Sequence, residues 1–167
     1  MISKTLTDEA YVWIWLPGAT DPVVAGLITR EGERYIFNYG QSYLARTNAI
    51  AIYDVELPLR RGAIAPHDGL ALAGCLRDGA PDAWGRRVIV NQLFSTKGDN
   101  IDVGSVDELT YLLASSSDRI GALDFQASST TFTPRLGASA SLEELLNVAE
   151  RVEQGIPLFL IHIFLCH

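Results

Sequence analysis

The run YVWIWL at residues 11–16 is the strongest constraint in the sequence, because every position in it is apolar. In an extended chain successive side chains point to opposite faces. Tyr11, Trp13 and Trp15 then lie on one side and Val12, Ile14 and Leu16 on the other. Such a strand needs cover on both faces. Residues 23–29 and 34–39 read as two further strands, and the glycine of the connector Arg30-Glu31-Gly32-Glu33 supplies the positive φ of a short hairpin. Residues 50–53 (IAIY) offer a possible fourth strand, after which LPLRRG at residues 57–62 reads as a loop leaving the sheet. The N-terminal third is therefore expected to be an antiparallel meander.

Helical signals follow. Pro81 and Asp82 suit a helix start, since proline lacks only an N–H that would be unbonded there and the carboxylate accepts from free amides. Trp84, Val88, Ile89 and Leu93 are then expected to form an apolar stripe, with Trp84 as a buried anchor whose removal costs ~3–5 kcal/mol. Ser105 with Glu108, and Ser141 with Glu144, have the spacing of reciprocal capping boxes. The second opens the clearest helix, with Leu142, Leu145, Leu146, Ala149 and Val152 at helical spacing before Gly155 and Pro157 stop it. Between the two boxes, residues 119–125 (RIGALDF) and 131–134 read as extended segments around a Ser/Thr-rich turn.

Charge and cysteine usage narrow the function classes. With 20 acidic and 13 basic residues the net charge is -7, which repels a phosphate backbone and points to DNA contact only through a partner. Cys75 and Cys166 lie far apart, and the opening MISKTLTDEA lacks the apolar core of a signal peptide, so a reducing cytoplasm is the expected compartment. The apolar run IPLFLIHIFLC at residues 156–166 falls short of the ~20 residues that span a bilayer. It is expected to be sticky, favouring self-association.

No motif for a known chemistry stands out. A GxxxxGK[ST] phosphate loop and a GxSxG nucleophile elbow are absent from the sequence. His162, Cys166 and His167 could share one metal ion, yet two or three ligands at a terminus read more readily as incidental sequence. The segment RDGAPDAWGRRVIVNQL at residues 77–93 places Asp82 beside Arg86 and Arg87, an acid or base next to an anion clamp in a functional reading. The structural reading favours Asp82 as a cap, Gly85 as a point of close approach and the arginines as a solvated or carboxylate-paired face. No histidine, cysteine or second carboxylate stands at useful spacing, so the motif reports a fold.

Together the run LALAGCLRDGAPDAWGRRVIVNQL, the earlier FNYGQSYL (residues 37–44) and LPL (residues 57–59), and the later RIGALDF resemble the N-terminal region of HipA-type serine/threonine kinase toxins, over about residues 11–155. The resemblance implies a small mixed β/α subdomain leading into a kinase-like core. In that family the intact protein phosphorylates a protein target using ATP and Mg²⁺, and is restrained by the helix-turn-helix antitoxin HipB. The phosphate loop, strand lysine and catalytic loop that do this work are not in the sequence, so no catalytic, cofactor-binding or metal residue is assigned.

The expectation is thus an α+β fold, with an antiparallel β-meander forming a small barrel-like N-terminal subdomain, then helices and the start of a kinase-like core. Residues 1–104 would be the N-terminal subdomain, 105–155 the first core elements and 156–167 an aberrant apolar tail. The expected function is a truncated or split HipA-like toxin–antitoxin protein, inactive by itself. The alternative is a stand-alone, antitoxin-like regulator binding a separate HipA-type kinase. A metalloenzyme built on the C-terminal His/Cys cluster is a distant third.

Overall fold

A computed structural model of the chain describes residues 8–94, 106–119 and 121–135, with residues 104, 146 and 150. Its centre is the two-faced apolar run. Strand β1 (Glu9–Ile14) pairs antiparallel with β2 (Val23–Glu31), which turns back into β3 (Arg34–Tyr39). Gly32 occupies the hairpin turn at φ 63°, in the left-handed region that glycine enters without strain. On one face Ala10, Val12, Ile14 and Leu16 join Ile28, Phe37 and Tyr39 in the main core. The opposite face is covered as the pattern requires: Phe132 packs against both Trp13 and Trp15, at centroid separations of 5.3 and 5.2 Å, and the Trp13 indole donates to the Ser128 carbonyl at 3.0 Å.

The barrel-like expectation is wrong. The strand order is β3-β2-β1-β4, an open sheet in which β4 (Leu123–Gln126) pairs with the free side of β1 and β3 never meets it. The outer edge of β3 is occupied otherwise: Phe37 bridges Ile64, and the Tyr35 amide donates to the Ala71 carbonyl. Residues 50–53 do not form the fourth strand either. The Leu57 amide bonds back to the Tyr53 carbonyl, folding this stretch on itself, and the amide of Ile52 is taken by the Tyr39 hydroxyl. A sheet ladder has no claim on groups already bonded.

The helices are α1 (Gln41–Leu44), α2 (Gly74–Arg77), α3 (Ala83–Phe94) and α4 (Glu108–Ala114). Leu76, Leu109 and Leu112 bring α2 and α4 into the main core beside Phe125 of β4. The segments on both sides of residue 104 thus contribute to one sheet and one core. Asp82 caps α3 as read, its carboxylate accepting from the Gly85 amide at 2.8 Å, and a Cβ at Gly85 would stand 2.9 Å from the Pro81 Cβ.

Two local expectations fail. Trp84 is 42% exposed, because α3 turns Ile89 and Val90 toward Tyr111 of α4 and leaves Trp84 on the opposite side. Trp84→Ala should therefore shift stability by no more than about 0.5 kcal/mol, a change read from denaturation midpoints. The start of α4 is capped by Asp107 instead of the Ser105/Glu108 box, with the Asp107 carboxylate accepting from the Thr110 amide at 3.0 Å. Glu108 is not available to reach back, since Arg86 holds its carboxylate. The helix read at residues 142–152 and its Ser141/Glu144 box fall largely outside the described residues; Leu146 and Glu150 are helical. Among the described residues no helix is long and apolar enough to cross a membrane.

Candidate interaction site

Between α1 and the bridge to Ile64 the chain runs through residues 45–63 with almost no regular structure. Its backbone is nevertheless fixed by side chains from the sheet and from α1. Tyr39 and Tyr43 stack with centroids 5.7 Å apart and planes 8° from parallel. The Tyr39 hydroxyl donates to the Leu57 carbonyl at 2.7 Å and accepts from the Ile52 amide at 2.9 Å, while the Tyr43 hydroxyl donates to the Ile50 carbonyl at 2.9 Å. Burial pushes the Tyr39 phenol up to about 12 and raises that of Tyr43, so both remain neutral donors at ordinary pH.

A third tie comes from Glu56. Its carboxylate accepts from the Gly74 amide at 3.1 Å and the Cys75 amide at 2.7 Å, satisfying the free N–H groups at the start of α2. Glycine is needed at position 74 for this approach, because a Cβ there would lie 2.8 Å from the Glu56 carboxylate. The Cys75 amide holds the Glu56 pKa below its ordinary value. Burial, then the bond to Glu56, pushes the Cys75 thiol up to about 12, which leaves it protonated and a poor nucleophile.

The Glu56 tie predicts a pH dependence. A carboxylate whose folded pKa is depressed contributes stability above its unfolded value, here ordinarily 4.5, and loses it as pH falls through the lowered folded value. Glu56→Gln should cost about 1 kcal/mol at neutral pH, the size of a lost helix cap. Urea midpoints of the two proteins should converge as the solution is acidified below that range, and a gap that stays constant down to acid would contradict the carboxylate's role.

The loop so fixed buries Leu57 in the main core but leaves four other large apolar side chains at the surface. Ile50, Tyr53, Val55 and Leu59 are 40%, 49%, 63% and 39% exposed. Arg60 and Arg61 follow at the surface, the Arg60 guanidinium folded onto the carbonyls of Arg61 and Ala63. Beside α1, a shallow cleft of about 290 Å³ is lined by residues that include Trp13, Pro22, Val23, Tyr43 and Arg46.

The residues singled out in the sequence have other employment. Arg86 forms a bidentate pair with Glu108 at 2.9 and 2.8 Å and lies 4.5 Å from the centroid of the Tyr111 ring. The bonds to Glu108 raise its pKa, so the charge is permanent and serves to join α3 to α4. Asp82 is a cap and Arg87 faces solvent. Asp82 and Arg86 are each engaged by partners of their own, the Gly85 amide and the Glu108 carboxylate. His162, Cys166 and His167 lie outside the described residues, among which no group of three or more metal-type ligands occurs.

The sequence reading missed the ionic centre of the fold. Asp124 is completely buried and is met by Arg135 at 2.9 Å, Arg119 at 3.2 Å, the Ser117 hydroxyl at 2.6 Å and the Gln126 amide at 2.8 Å. Burial lowers the Arg119 pKa to about 10, against the pull of Asp124, so the guanidinium is still charged at neutral pH. An aspartate inside an extended apolar run was the available signal, since strands are depleted in that residue.

Residues 14–126 match the family described as HipA N-terminal domain. This chain belongs to that family. No curated protein matches it. The match begins at the last residue of β1 and ends at the last residue of β4, so it takes in β2, β3, the fixed loop and β4 with Asp124. Within that domain the loop carries Ile50, Tyr53, Val55 and Leu59 exposed on an ordered backbone.

Proposed function

We propose that this HipA N-terminal domain is a non-catalytic docking module of a HipA-type toxin–antitoxin system, acting in the cytoplasm. Its chemistry-bearing counterpart is a kinase whose phosphate and catalytic loops lie outside this sequence, and its partners are a HipB-like antitoxin or that kinase. The observation that supports the reading is the loop at residues 45–63, whose backbone is anchored by Tyr39, Tyr43 and Glu56 while Ile50, Tyr53, Val55 and Leu59 face solvent. Leu57 already ties the loop to the core, and burying the exposed side chains against a partner adds to that contribution.

One feature favours the regulator form of this reading. β4 pairs with β1 from within the chain, so that side of β1 is covered without a strand from a kinase core. Co-expression with a HipA-type kinase or helix-turn-helix protein encoded beside the gene tests the proposal. A stable complex on gel filtration, with no phosphate transfer from labelled ATP by this chain alone, is the expected result. Phosphate transfer by the purified chain that disappears on substituting its own residues would overturn it.

A further inference from the structure

The loop's composition says more about its partner than that it is a protein. The segment holds Arg46, Arg60 and Arg61, all exposed, against Asp54 and Glu56, and Glu56 is occupied by two amides. In a chain of net charge -7 this is a local reversal of sign. We propose that the face formed by Tyr53, Val55, Leu59, Arg60 and Arg61 receives an acidic, apolar segment of a partner protein. The apolar side chains supply the contact area, and the arginines select a segment bearing carboxylates.

Several features suit a docking face. Tyrosine and arginine are among the residue types enriched in the energetic centres of protein interfaces. The backbone needs little ordering on binding, because Tyr39, Tyr43 and Glu56 already fix it, and preorganisation removes part of the usual cost. Arg60 is braced by the carbonyls of Arg61 and Ala63 next to Gly62, whose φ of 87° makes the turn. Charge also argues against a second copy as the occupant, since two chains of net charge -7 repel.

This inference rests on the docking reading above and is tested separately from it. Fluorescence anisotropy would follow titration of the full chain into three labelled peptides: an amphipathic Leu/Glu helix, the same helix with Lys for Glu, and an acidic peptide without leucine. The Leu/Glu peptide is expected to bind, with affinity falling as salt rises, and both others to bind far more weakly. Tyr53→Ala with Val55→Ala, or Arg60→Glu with Arg61→Glu, should weaken binding about tenfold or more. Unchanged thermal midpoints are expected for exposed side chains, and Arg61→Glu alone is the milder substitute should the paired variant lose its fold.

No binding by the parent below about 1 mM, equal binding of the Lys peptide, or variants that bind like the parent would each overturn the assignment. Light scattering that shows a dimer broken by Tyr53→Ala with Val55→Ala would overturn it in favour of a second copy. If the complex with a neighbouring kinase or helix-turn-helix protein forms and these variants leave it intact, the docking reading stands and this surface is the wrong one.

Discussion

Gly26→Ala should lower stability by about 3 kcal/mol or more, at or beyond the upper end of what overpacking usually costs. Gly26 lies in the middle of the sheet, opposite Val12 on β1 and Tyr39 on β3. A Cβ at this position would stand 2.2 Å from the Asn38 carbonyl oxygen and 2.6 Å from Cζ of Phe37. The carbonyl belongs to the adjoining strand, and the Phe37 ring is buried edge-on to Tyr39, so neither yields cheaply. The pairing between β1 and β2 slips one residue further along, between Val12 and Trp13. Gly40→Ala is the matched control: the nearest atom to its Cβ would be 3.8 Å away, and its φ of -65° suits alanine. Urea midpoints for the two variants should separate widely, and a Gly26→Ala protein as stable as the Gly40→Ala protein would mean that the ring does not lie over Gly26.

Asp124→Ala should cost ~3–5 kcal/mol, the penalty for leaving a buried charge without its partner. The stranded group is Arg119, whose side chain is 7% exposed and whose other bonds go to the carbonyls of Gly79, Leu112 and Ser115. Removing the carboxylate also frees the Ser117 hydroxyl and the Gln126 amide. Arg135→Ala should be milder, because Arg135 is partly exposed and Arg119 remains to balance Asp124. The cost measures the asymmetry of a broken pair and not the net worth of the intact one. Chemical denaturation of the two variants decides the matter, and equal losses would mean that Arg119 does not depend on Asp124.

What could be read from the sequence follows the periods that burial imposes. The two-faced run at residues 11–16 demanded a covered strand, and Gly32 marked the hairpin between β2 and β3; both are present. Closure was not legible, because the choice between a barrel and an open sheet depends on what reaches the outer edge of β3. The residues that do, Ile64 and Ala71, come from a stretch with no strand pattern. Trp84 was misread for a related reason. On a helix, size alone says nothing about which face is turned inward, and here Ile89 and Val90 face Tyr111 of α4. The LPLRRG loop was recognised as a loop, while its anchors were not, since nothing in FNYGQSYL marks Tyr39 and Tyr43 as hydroxyl donors to a backbone that follows them. Asp124 shows the same limit: its partners Ser117, Arg119 and Arg135 lie on both sides of it in the chain and meet only in space.

The pairing of β4 with β1 sets a timetable for the ribosome. Ile14 emerges about 110 residues before Leu123, the partner that seals its open side. At ~5–20 residues per second that interval lasts on the order of ten seconds. Throughout it, the most apolar strand of the chain can be covered on one side by β2 and β3 but has an unpaired edge on the other. Rare codons between these two strands would prolong the exposure, and a chaperone that shields nascent apolar segments has its longest opportunity in that window.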